Sequence, residues 1–118
     1  MPDSSSDCIF CEIAAGTIPA KIAFQNDELV AFYDVNPAAP VHILIIPRQH
    51  VTDTTVLDDS TAPLMGRMVL AAAKLAREHN VQASGYRLVS NVGPDAGQSV
   101  FHLHLHLLGG RKMAWPPG

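Results

Sequence analysis

Nowhere in the 118 residues do lysines and arginines cluster, and the eight basic residues are outnumbered by eleven acidic ones, for a net charge of −3. That excludes the dense phosphate attraction on which nucleic-acid binding rests. A partner with one or two phosphates is still compatible, because backbone N–H groups can hold those. No apolar run approaches the ~20 residues of a membrane span. The opening Met1-Pro2-Asp3-Ser4-Ser5-Ser6-Asp7 lacks the basic and apolar regions of a secretory signal. Residues 1–7 are expected to form a disordered tail, and a cytoplasmic location is expected. In that compartment the two cysteines are not expected to form a structural disulfide. There is no internal repeat and no linker, so residues 8–118 read as one domain with a C-terminal tail at 111–118. Hydrophobic residues make up 47% against 16% charged, which is enough for a core, with an apolar surplus that fits a subunit interface.

The patterning predicts an α+β fold: an antiparallel sheet of about five strands carrying one short and one long helix. Asp7 can cap a helix over 8–15 that Gly16 terminates. Strands are expected over 21–25 and 29–33, joined as a hairpin by Asn26-Asp27-Glu28. The apolar run of 42–46 reads as a third strand, ended by Pro47. Residues 63–79 read as the long helix, with Ser60 or Thr61 at its start and Asn80 at its stop. Leu64, Met68, Ala72 and Leu75 form one apolar stripe, and Met65, Val69, Ala72 and Ala76 a second. The second stripe either packs on the sheet or meets another subunit. Further strands are expected over 86–91 and 100–108, separated by a Gly/Pro/Asp loop over 92–99.

The last strand carries the chemistry. In His102-Leu103-His104-Leu105-His106-Leu107-Leu108 the imidazoles alternate with leucines. Alternate residues of a strand share one face, about 6.8 Å apart, so the histidines lie together opposite the leucines. A core explains the leucines but does not ask for three histidines. Neutral imidazole serves as nucleophile, general acid or base, and metal ligand. A His-x-His pair can hold zinc in a hydrolytic site; alternatively, one histidine acts as a covalent nucleophile tuned by its neighbours. The loop Asn91 to Ser99 leads into this strand. Its glycines allow close backbone approach to an anion, and Gln98 and Ser99 add donors.

These residues resemble the histidine triad superfamily, and the resemblance covers nearly the whole chain. The run from His102 to Leu108 matches its His-φ-His-φ-His-φ-φ signature, φ being apolar. Cys8-Ile9-Phe10-Cys11-Glu12-Ile13, Ala31-Phe32-Tyr33-Asp34, His42 to Pro47 with His50, Gly97-Gln98-Ser99-Val100, and Gly109-Gly110-Arg111 with Trp115-Pro116-Pro117-Gly118 are similar to its Hint branch. The resemblance implies a homodimer whose sheets join across the interface, with the C-terminal tail reaching toward the partner's active site. It implies hydrolysis of purine nucleoside 5′-phosphoramidates through a nucleotidyl-histidine, releasing the nucleoside monophosphate. His104 is then the nucleophile and His106 holds a phosphate oxygen. Ser99 sits near the leaving nitrogen, and His42 lies behind the triad. Asn91, Gly97, Gln98 and Val100 surround the phosphate, and Asp34 accepts from the ribose hydroxyls. Ile9, Phe10, Ile13, Phe32 and Val35 line the base pocket, and Trp115 belongs to the nucleotide site. Other readings are a dinucleoside polyphosphate hydrolase and a nucleotide-binding interaction protein with little turnover.

Cys8 and Cys11 stand at i, i+3 at a helix start, where the thiolate that binds metal is favoured. With His50 and His102 they make a Cys2His2 set, similar to that of several bacterial histidine triad proteins and complete for structural zinc. Such zinc takes no part in catalysis, and no cofactor is needed for the reaction. Two buried free thiols are the alternative.

Overall fold

The five expected strand segments form one antiparallel sheet in the computed structural model, which describes residues 8–118. The elements are α1 (Ile9–Ala15), β1 (Ile22–Gln25), β2 (Leu29–Tyr33), β3 (Val41–Pro47), α2 (Ala62–Glu78), β4 (Tyr86–Val89) and β5 (Leu105–Gly109). Strand order is β1-β2-β3-β5-β4. β3 therefore lies at the centre, which explains its unbroken apolar run: both of its faces are covered.

Each face has its own core. Leu29, Ala31, Ile43, Ile45, Leu105 and Leu107 point to the side covered by α2, where Leu64, Met68, Ala72, Leu75 and Ala76 bury against them. Val30, Phe32, Leu44 and Ile46 point to the other side, against Cys8, Phe10 and Cys11 of the α1 segment. The expected first stripe of α2 is buried. The second is divided: Ala76 is buried, Met65 half-buried and Val69 exposed.

Several expected boundaries move. Asp7 lies outside the described residues, and the cap of α1 is Cys8, whose Sγ accepts from the Cys11 N–H at 3.3 Å. Gly16 closes α1 in the left-handed region at φ +80°, as expected of a glycine there. At the start of α2, Thr61 occupies the cap position without a capping side-chain bond. The carboxylate of Asp58 instead accepts from the Ser60 and Thr61 N–H groups. β4 ends at Val89, so Asn91 falls outside it.

The largest correction concerns the histidine strand. Its ladder begins at Leu105, not at residue 100. Upstream, the Leu103 N–H donates to the Val51 carbonyl, and Gln98 Nε2 donates to the Thr52 and Val100 carbonyls. The backbone of the segment before β5 is thus tied to the 51–52 loop and has left the β3 ladder. Side-chain alternation nevertheless persists through it. Leu103 joins the α2-side core, while the Phe10 ring packs edge-on against His102 and His104 at 6.0 and 5.1 Å between centroids.

Candidate active site

β5 enters the sheet beside β3 with His106 opposite Leu44 and Leu108 opposite His42. His42, Leu44 and His106 therefore share the α1 side, the two histidines as diagonal neighbours. His104 stands one turn of the alternation upstream, with ring centroids 5.0 Å from His106.

Hydrogen bonds set the role of each ring. His104 is buried, with its Nδ1 2.7 Å from the carbonyl oxygen of His102. A carbonyl only accepts, so Nδ1 carries the proton and Nε2 keeps its lone pair. His42 Nδ1 accepts from the Ala38 N–H at 3.0 Å, which leaves the His42 proton on Nε2. That nitrogen lies 2.9 Å from His106 Nδ1, with an Asp34 carboxylate oxygen 3.5 Å away. His106 accordingly accepts at Nδ1 and is a donor at Nε2. This Nε2 is buried and has no hydrogen-bond partner among the described residues. Burial pushes the His106 pKa down to about 4, helped by the neighbouring His104 and His42, so the ring is neutral at physiological pH. Burial lowers His42 as well, against the opposing pull of Asp34.

His104 and His106 open onto a cavity of about 530 Å³. Ile9, Phe10, Ile13, Phe32, Asp34, Val35, Ser99 and Val100 line it too. The lining combines apolar side chains with the two imidazoles, Ser99 and the Asp34 carboxylate. Asp34 Oδ1 already accepts from the Asn36 N–H at 2.8 Å, which fixes its orientation.

A second cluster adjoins this one through His102. Cys8 Sγ and Cys11 Sγ lie 3.3 and 3.4 Å from His102 Nδ1, and Cys11 Sγ lies 3.2 Å from His50 Nδ1. No disulfide joins the cysteines. The four ligand atoms lie within 4.8 Å of one another. Bond lengths of about 2.3 Å to sulfur and 2.0–2.1 Å to nitrogen give tetrahedral S···N edges of roughly 3.5 Å, close to those seen. His102 Nε2 donates to the Pro47 carbonyl at 2.8 Å, which turns the bare Nδ1 toward the thiols and is the usual support of a ligating histidine. The donor set fits zinc. Cys8, Cys11, His50 and His102 would fill its coordination, so its contribution there would be to tie α1 to the loops carrying His50 and His102.

A buried histidine with its ring locked by the carbonyl two residues upstream, inside a His-x-His-x-His run on this sheet, is the decisive feature. A family model described as the HIT domain matches residues 15–113. The chain belongs to the HIT domain family. It is 41% identical over 117 residues to the adenylylsulfatase HINT1 of Arabidopsis thaliana, covering 98% of this chain and 79% of that one. The crystal structure of a HIT family hydrolase from Legionella pneumophila superposes with a TM-score of 0.92 at 47% identity, over 94% of this chain and 99% of that one. A zinc-bound histidine triad family protein from Mycobacterium smegmatis superposes with a TM-score of 0.77 at 32% identity, over 91% and 77%.

Some expected nucleotide-site residues of this HIT chain lie away from the cavity lining. Gln98 is buried and turned inward, its Oε1 accepting from the Gly93 N–H and its amide held by Thr52 and Val100. Gly97, at φ +82°, closes a single 3-10 turn over 94–96. Asn91 is half-buried beyond β4. Trp115 is 81% exposed. Sequence reasoning missed Leu44, Tyr33, Lys21 and the 18–20 segment as cavity lining. Leu44 was findable by extending the His42 alternation along β3. The 18–20 segment carries only turn signals, and nothing local aims it at a ligand.

Proposed function

We propose that this HIT protein is a nucleotide hydrolase that cleaves the P–N bond of purine nucleoside 5′-phosphoramidates through a covalent intermediate on His104. The observation that carries the reading is the His104–His102 carbonyl bond, which leaves Nε2 of a buried ring as a lone pair facing the cavity. That lone pair attacks the α-phosphorus. The P–N bond breaks as its nitrogen takes a proton from the Ser99 hydroxyl, which regains one from the water of the second step, and the amine departs. Water then attacks the phosphorus of the nucleotidyl-histidine, His104 is released, and the nucleoside monophosphate leaves. The Nε2–H of His106 donates to a phosphate oxygen, while His42 holds the opposite side of that ring. Val100 lies beside the phosphate, while Asn91, Gly97 and Gln98, set back from the cavity lining, shape the loop that carries Ser99 and Val100. Asp34 accepts from the ribose hydroxyls, and Ile9, Phe10, Ile13, Phe32 and Val35 enclose the base. Zinc at Cys8, Cys11, His50 and His102 is structural.

The active unit is a homodimer, its sheets joined through β4 and the tail with Trp115 reaching the other copy's site. The name of the Arabidopsis relative favours a second substrate for the same nucleophile: adenylyl sulfate, whose sulfate leaves without needing a proton. A panel of AMP-amines, GMP-amines, adenylyl sulfate and dinucleoside polyphosphates, followed by monophosphate release, tests the assignment. AMP- or GMP-amines are expected to turn over fastest, and His104→Ala is expected to lower that rate on the order of a thousandfold or more. Retained activity in that variant removes the nucleophile.

A further inference from the structure

The proton positions on His42 and His106 depend on one backbone N–H, and the carbonyl of the same residue, in the next peptide unit, is anchored from a distant part of the chain. Ala38 lies in the loop between β2 and β3. Its N–H donates to His42 Nδ1 at 3.0 Å, and its carbonyl accepts from Arg111 Nε at 3.1 Å. Arg111 also donates through Nη1 to the Lys112 carbonyl at 3.1 Å, which holds the guanidinium in place. Gly110, at φ +91°, allows the chain to pass this close: a Cβ there would stand 2.9 Å from the Cβ of Pro40. The start of the tail is thereby clamped against the loop that presents Ala38.

We propose that Arg111 is a positioning residue which, by holding Ala38 through its carbonyl and so keeping its N–H on His42, sets the tautomers of His42 and His106. The sequence of bonds runs Arg111, Ala38, His42, His106. A donor at Ala38 N requires a lone pair at His42 Nδ1 and so a proton at His42 Nε2. That proton requires a lone pair at His106 Nδ1 and so a proton at His106 Nε2, the buried and unpartnered nitrogen. If the Ala38 N–H drifts away, His42 can carry its proton on Nδ1. Nε2 then offers a lone pair to His106, and the proton of His106 moves to Nδ1. A substrate oxygen would then face a lone pair instead of a donor. Asp34 favours the same order, since its carboxylate accepts beside His42 Nε2, but at 3.5 Å it holds that proton more weakly than the Ala38 N–H, at 3.0 Å, holds the Nδ1 lone pair.

The catalytic consequence rests on the phosphoramidate reading, but the tautomer assignment does not, so the test has two arms. In the full chain at pH 7.5, multiple-bond 1H–15N correlation spectra report which ring nitrogen is protonated. Wild type is expected to show His42 and His106 as Nε2–H tautomers. Arg111→Ala is expected to show a mixture at both rings, and Arg111→Lys, which keeps a donor, to restore most of the Nε2–H form. With an AMP-amine, Arg111→Ala is expected to lower kcat about fivefold, the effect of one lost hydrogen bond of roughly 1 kcal/mol, with KM within about twofold. A wild-type His106 protonated on Nδ1, or unchanged His42 and His106 tautomers in Arg111→Ala, overturns the proposal. A wild type that turns over no phosphoramidate while the tautomers shift as stated defeats the functional reading and leaves the relay standing.

Discussion

His106 shows how one residue's surroundings convert a titratable group into a neutral donor. Its pKa is about 4 in the folded chain against 6.5 for a free imidazole, chiefly through burial. Between those values the unfolded chain binds a proton that the folded chain does not. Stability therefore falls as pH drops from about 6.5 toward 4, with a slope from this one group of at most ~1.4 kcal/mol per pH unit. His42, lowered in the same direction, steepens it. His106→Gln, which keeps a side-chain donor but cannot titrate, is expected to flatten the pH dependence of urea unfolding between pH 7 and 5. An unchanged slope would contradict the assignment. The chemical identity of these residues was legible in the sequence, since alternation and residue type alone nominated His102, His104 and His106. Their division of labour came only from the family resemblance, not from the pattern itself. It depends on the Ala38 N–H and the Pro47 and His102 carbonyls, backbone groups that every residue carries and that no residue type advertises.

At the scale of elements, patterning found both helices and all five strands, through one-sided apolar periods in the helices and outer strands and through an unbroken apolar run in β3. The end of the histidine strand nearest the loop was misjudged for a definite reason. Alternation reports which side a side chain takes, and that survives in extended chain outside a ladder. The actual partners of residues 98–103 are carbonyls of the 51–52 loop, a tertiary pairing. β4 sits at the sheet edge and pairs only with β5 among the described residues. Its outer edge leaves a row of backbone donors and acceptors open, which a second copy can fill antiparallel about a two-fold axis. The exposed Val69 and Leu70 of α2 supply further apolar surface. Sedimentation equilibrium is expected to give twice the chain mass, and a monomer at micromolar concentration would exclude the joined sheet.

For the whole molecule, the two clusters meet at one residue with separable functions. The His102 side chain faces Cys8, Cys11 and His50, while its carbonyl orients the His104 ring. Under the proposed function, metal ligation there would tie α1 to the rest of the fold without touching His104 Nε2. Purified protein is expected to hold one zinc per chain. Chelation is expected to lower Tm by at least ~5 °C, the scale of binding energy linked to a domain this size, while most phosphoramidate turnover is retained at a temperature where the apo chain stays folded. Prompt and reversible loss of turnover in the folded apo chain would instead place the metal in the reaction. No helix among the described residues is long and apolar enough to cross a membrane.

Covalent catalysis by His104 is tested most directly by stereochemistry at phosphorus. An AMP-amine bearing one sulfur on phosphorus, in a single configuration, is hydrolysed in heavy-oxygen water and the product's configuration is read. Two in-line displacements, first by His104 and then by water, invert twice and give net retention. Net inversion would mean that water attacks directly, and that His104 is not the nucleophile.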